Sequence, residues 1–167
     1  MKTPSVSEII SQNPTINFLA GSSFYWSPEK KLVTYSENSI DKPAGIWALL
    51  HEISHAKLNH INYSSDVGLL KLEVEAWDKA KSLAIDLNMT IDEDHVQDCL
   101  DTYRDWLYRR STCPNCNIVC IQNSPTSYRC HNCSTIWSVS ASRFCRPYRL
   151  TKQIKEKRPQ TKSATFS

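Results

Sequence analysis

From residue 44 to residue 110 apolar side chains recur every three or four positions, the period of an α-helix. Three helices are predicted. The first, residues 44–58, follows Asp41-Lys42-Pro43, where a proline in the first turn sacrifices no hydrogen bond. Ile46, Leu49 and Ile53 line one side of it and Trp47, Ala48 and Leu58 the other, so it should be central. The second helix covers residues 68–88. The third starts at Thr90-Ile91-Asp92-Glu93, which has the pattern of a capping box, and keeps Val96, Cys99, Leu100, Tyr103 and Leu107 in helical register to about residue 110. Before these helices, INFLAGSSFYW and KLVTYS are rich in aromatic and β-branched residues and flank the turn-prone SPEK. They read as two strands of a hairpin or small sheet. A short helix at residues 5–12 is stopped by Pro14. The expected class is α+β.

Composition sharpens this picture. The formal charge of +3 hides a division: residues 1–110 hold 11 Lys and Arg against 16 Asp and Glu, and residues 111–167 hold 9 against 1. A boundary near Ser111 follows. No run approaches the roughly 20 apolar residues that span a bilayer, and the N-terminus lacks the apolar core of a secretory signal. Seven cysteines, four of them in two CxxC pairs, suit metal-held thiols in a reducing compartment better than a secreted disulfide scaffold. The expected location is the cytoplasm, with no membrane partner.

Residues 51–60 read HEISHAKLNH and contain three of the chain's five histidines. His-Glu-x-x-His on a helix sets two imidazoles one turn apart on one face, where both reach one zinc ion, and the Glu can polarise the water it activates. The plainer alternative is a helix with two buried, hydrogen-bonded histidines. A third ligand is needed. The spacing HExxHxxGxxH fails, because Leu58 and Ile61 stand at its Gly and final His. His60 can join only if the helix breaks before it; otherwise it is a polar residue at a helix end. In the second helix Glu73 shares a stripe with Leu69, Ala76, Trp77, Ala80, Ala84 and Leu87. A lone carboxylate there is costly unless paired, as with Arg104, or coordinated. Glu75 points away beside Lys71, Lys79 and Ser82, as a solvated surface charge.

HEISHAKLNH followed by LEVEAWDKAKSLA resembles the ImmA/IrrE family of small cytoplasmic gluzincin metallopeptidases, over about residues 20–90. The resemblance implies that His51, His55 and Glu73 bind zinc, that Glu52 is the general base, and that the substrate is a specific regulatory protein such as a transcriptional repressor. Ser54 stands where the family usually has Gly. Tyr35, Tyr63 and His60 are the candidates for stabilising the tetrahedral intermediate. The strand at residues 31–36 is expected to pair with substrate as an added strand.

Cys113-Pro114-Asn115-Cys116 and Cys130-His131-Asn132-Cys133 have the spacing of a structural four-thiolate zinc site. IVCIQNSPTSYR between them and STIWSVS after them read as ribbon strands. Asn117 and Ser134 take the place of the usual glycines, and asparagine tolerates that turn. Cys99 is expected in a core, and Cys120 and Cys145 as packed or free thiols. Arg143, Arg146 and Arg149, interleaved with Phe144 and Tyr148, point to a nucleic-acid contact through a basic tail; the plainer alternative is a purely structural ribbon.

The organisation expected is a minimal gluzincin-like peptidase domain at 1–110, a zinc ribbon at 111–140 and a basic, largely disordered tail at 141–167, with two Zn²⁺ per chain, one catalytic and one structural. Two other readings carry different chemistry. One is a non-catalytic nucleic-acid-binding or scaffold protein. The other is an SprT-like protease acting at DNA, whose third ligand would be a distant histidine, here His95 or His131.

Overall fold

The fold mixes α-helices with two small sheets. The computed structural model describes residues 4–140 and, for the backbone of one strand, residues 149–152. The chain divides into two compact units, 1–109 and 110–167.

In the first unit, α1 (Val6–Ser11) opens with a capping box: Ser5 Oγ accepts from the Glu8 N–H, and the Glu8 carboxylate accepts from the Ser5 N–H. A three-stranded sheet follows, formed by β1 (Asn17–Gly21), β2 (Tyr25–Ser27) and β3 (Leu32–Ser36) in the order β1-β3-β2. The run expected to form one strand breaks after Gly21, because Ser22 and Ser23 favour a bend over an extended ladder. β2 and β3 form an antiparallel hairpin, Trp26 opposite Val33, whose turn ends at Lys31 in the left-handed region (φ 47°). β1 pairs with β3 in parallel, Asn17 beside Leu32. This corrects the expectation that residues 31–36 offer an edge to substrate: β3 is central, with a neighbour on each side.

The three long helices are α2 (Pro43–Lys57), α3 (Asp66–Asp86) and α4 (Glu93–Ser111). α2 is central, as its all-round apolar pattern predicts. Ile46, Leu49, Leu50 and Ile53 meet Val33 of β3, Trp77, Ala80 and Ala84 of α3, and Val96 and Leu100 of α4 in one core. Ala76, Ala80 and Ala84 are fully buried, and their small side chains let α3 lie close. A Cβ at Gly45 would stand 1.9 Å from the Ser39 carbonyl oxygen, so only glycine lets the preceding turn fold against the start of α2. α4 is capped by Asp92, whose carboxylate accepts from the Asp94 N–H, and so starts two residues later than a cap at Thr90 would place it.

The second unit begins with the last residues of α4. Four strands, β4 (Gln122–Ser124), β5 (Ser127–Arg129), β6 (Ile136–Val139) and β7 (Arg149–Lys152), lie in chain order and pair antiparallel. The ribbon sheet thus extends into the segment expected to be a tail: β6 has an edge left over by β5, and Arg149–Lys152 fill it. Tyr128 and Trp137 stack (5.4 Å, 9°) in a core completed by cysteines and Val139, and the Trp137 indole N–H donates to the Arg110 carbonyl. Among the described residues no helix is long and apolar enough to cross a membrane.

Candidate metal centres

Among the described residues two sets of ligand-type side chains converge, each with its ligand atoms within 4.8 Å of one another: His51, His55 and Glu73, and the four cysteines Cys113, Cys116, Cys130 and Cys133. The first set is built by helix phase. His51 and His55 stand one turn apart on α2, with Nε2 atoms 3.1 Å apart, and Glu73 comes across from α3. Its Oε2 lies 3.2 Å from His51 Nε2 and 3.6 Å from His55 Nε2. Glu73 is only 5% exposed, in the stripe that its helix phase indicates. Its partners are the two histidines, while Arg104 pairs with Asp101 at 2.7 Å on the surface. Burial pushes the Glu73 carboxyl up, but hydrogen bonds and charge from His51 and His55 outweigh it and hold the group well below the usual carboxylate range. Two imidazole nitrogens and one carboxylate oxygen form a donor set that suits Zn²⁺.

Glu52 stands beside this set and is not part of it. Its carboxylate accepts from the Trp26 backbone N–H of β2 at 2.8 Å. Withdrawal from water raises its pKa, and Glu73 adds to the rise; His51, His55 and the Trp26 N–H pull the other way without reversing it. Trp26 also donates its indole N–H to the His60 carbonyl at 3.1 Å, so one residue grips both sides of the site. Sequence reasoning missed Trp26, since no spacing rule links a strand tryptophan to a glutamate 26 residues on. Trp26→Phe removes the indole donor and should cost about 0.5–1.5 kcal/mol. A lowered denaturant midpoint at unchanged slope would show it.

His60 does join the site's surroundings, because the helix does break. Asn59 adopts φ 54°, and the N–H groups of Asn59 and His60 return to the carbonyls of Ala56 and His55. This pair of bonds is a Schellman cap, which turns the residue after the left-handed one back onto the last helical turn. His60 Nδ1 lies 2.9 Å from His55 Nδ1 and His60 Nε2 lies 3.5 Å from Glu75 Oε2. Burial, and then His55, draw the His60 pKa below the ordinary histidine value, against Glu75 and Glu73. Glu75 is therefore not simply a solvated charge: it bridges His60 and Lys71, the latter at 3.8 Å. Ser54, at the position before His55, is fully buried and donates to the Leu50 carbonyl.

His95 is not among the three converging ligands. It packs between Trp47 and Trp77, with Nε2 3.7 Å from Cys99 Sγ. His131 is exposed on the second knuckle. Tyr35 packs against the main core from the central strand, and Tyr63 is largely exposed between α2 and α3.

In the second set, Cys113 Sγ lies 3.6 Å from Cys133 Sγ, and Cys116 Sγ 3.5 Å from Cys130 Sγ. Asn117 (φ 59°) and Ser134 (φ 60°) close the two knuckles, donating to the carbonyls of Cys113 and Cys130. The Thr135 hydroxyl, ahead of Asn115, draws the Cys133 thiol down to about 5, and the Ile118 N–H lowers Cys116. Burial pushes Cys113 up; at Cys130 the Cys133 N–H pulls downward, but burial and the neighbouring thiols raise the group on balance. Four converging thiols, two of them drawn below the ordinary thiol value, suit a thiophilic divalent ion such as Zn²⁺. Cys120 is buried in the ribbon core and donates to the Ile118 carbonyl, outside the four. Arg143, Arg146, Phe144, Cys145 and Tyr148 lie outside the described residues, and Arg149 is described only as backbone of β7.

A metal held by these four thiols would contribute heavily to a core this small, since structural zinc contributes roughly 10–16 kcal/mol in isolated finger peptides. Cys113→Ser should release one zinc per chain and expose amides of residues 111–140 to hydrogen exchange while α2 and α3 keep their protection. Simultaneous loss in both regions would show instead that the units unfold together.

The chain matches no model of a known protein family, no curated protein and no solved structure.

Proposed function

We propose that the chain is a zinc-dependent metallopeptidase of gluzincin type, similar to the ImmA/IrrE family, with His51, His55 and Glu73 as ligands and Glu52 as general base. The observation that carries this reading is the meeting of three ligand atoms from two helices, two of the residues buried and one half-buried, with a second carboxylate, that of Glu52, beside them and outside the set. A zinc ion held there would polarise a peptide carbonyl and bring the pKa of a water molecule towards neutrality. Glu52, whose pKa is already raised, takes a proton from the attacking water and delivers it to the leaving amine. Trp26 aims Glu52 through its backbone N–H, which points away from β3. β2 lies at the edge of the sheet, and its outward Trp26 N–H is committed to Glu52 and not free to pair with an added strand.

The substrate proposed is a specific intracellular protein such as a transcriptional regulator. The ribbon, which exposes Val119 and Ile121 ahead of a basic segment, would hold that partner or its nucleic acid. Zinc-loaded protein incubated with proteome-derived peptides should create new N-termini that a chelator abolishes and added zinc restores. A protein that fills the histidine site with zinc and yields no such termini is a binding protein, and the peptidase reading falls.

A further inference from the structure

His55 faces His51 and Glu73 with Nε2, which leaves Nδ1 on the far side of its ring, 2.9 Å from His60 Nδ1. His60 Nε2 then lies 3.5 Å from Glu75 Oε2. Protons fit this chain in one consistent way. A nitrogen that holds a metal carries no proton, so His55 is protonated on Nδ1 and donates it to the lone pair on His60 Nδ1. His60 is in turn protonated on Nε2 and donates to the carboxylate of Glu75. Every ring nitrogen has one role.

We propose that His60 and Glu75 form a positioning relay that fixes the tautomer and ring orientation of His55, so that its Nε2 lone pair is presented to the metal. This rests on reading His51, His55 and Glu73 as the zinc ligands. Three observations carry it. The backbone of His60 is held twice, by the Schellman cap and by the Trp26 indole, so the point from which its ring extends is fixed. Its side chain is 8% exposed and both its nitrogens are engaged, which leaves none to meet a substrate oxyanion. The arrangement is one-sided: His51 stacks on Trp77 at 4.3 Å, and its buried Nδ1 has no hydrogen-bond partner among the described residues. His51 is thus set by packing and His55 by hydrogen bonding. Glu75 is half exposed and shared with Lys71, which makes it the weaker member.

The test uses the full chain with its ribbon intact and zinc itself as the probe, with affinity read by competition against a chromophoric chelator. His60→Phe keeps the ring and removes both nitrogens. Zinc affinity at the histidine site should fall about 10–100-fold, as it does when outer partners of ligating histidines are lost, while the ribbon's affinity stays unchanged. His60→Asn, whose Oδ1 can replace Nδ1 as the acceptor, should recover most of the loss. Imidazole NMR of the zinc-loaded protein should show a slowly exchanging Nδ1–H on His55 in the wild type and in His60→Asn, but not in His60→Phe. Glu75→Gln should give a loss at the low end of that range, and it covers the case in which His60→Phe does not fold. Wild-type affinity in both His60→Phe and Glu75→Gln, or in Glu75→Gln and His60→Asn with an unprotected His55 Nδ1–H, overturns the relay and leaves the zinc site standing. A wild-type protein that binds zinc only at its ribbon overturns both.

Discussion

Glu52→Gln should lower zinc-dependent peptide hydrolysis by about 10²–10⁴-fold, the range for removing a general base, with zinc content unchanged. The carboxamide keeps the size of the side chain, and its Oε1 can still accept the Trp26 N–H that now meets the carboxylate. It cannot take up a proton. Because Glu52 lies outside the three converging ligands, metal should be retained. The pairing of the two readouts makes the experiment decisive. Loss of zinc together with activity would make Glu52 a structural part of the centre, and retained hydrolysis would remove it as the base. Peptides cut by the wild type are the right substrates, since a protease of one regulator can ignore generic proteins.

Glu73→Ala should lose the histidine-site zinc altogether, and all hydrolysis with it, while the ribbon keeps its own ion. One of three protein ligands is gone, and two imidazoles with Nε2 atoms 3.1 Å apart are left facing each other without the buried carboxylate that balances them. Glu75→Ala, two residues along the same helix, is the control: it touches His60 and not the ligand atoms, so zinc binding should weaken without being abolished. Zinc per chain in the two purified variants, read at saturating metal, separates them. If Glu75→Ala is the one that loses the ion, the phase assigned to α3 is wrong.

That phase was legible because it is local arithmetic. Leu69, Glu73, Ala76, Trp77, Ala80 and Ala84 recur with the helical period, and all six are buried. The cysteine knuckles were equally legible, since four ligands at short spacing need only two tight turns. What the sequence withheld depends on contacts between distant segments or on a single backbone angle. Nothing in INFLAGSSFYW says that β3 would come to lie between its two halves, so the strand read as an edge is the centre of the sheet. Nothing links Trp26 to Glu52 before the hairpin is docked on α2. His60 was readable only as a conditional: it reaches His55 because Asn59 turns left-handed, a conformation that asparagine permits and does not compel.

β3 gains its two neighbours by unequal routes. Pairing with β2 closes only the short turn between Ser27 and Leu32, whereas pairing with β1 closes a loop that must contain the whole of β2. The entropy of closure favours the shorter loop, and hairpins form in about 1–10 μs. The ladder with β1 is the longer one, five paired residues against three, but it is the remote one. Trp26 belongs to the local piece. The wall that holds Glu52 and His60 is therefore set by pairing between near neighbours in the chain, and the remote strand is laid against its far side.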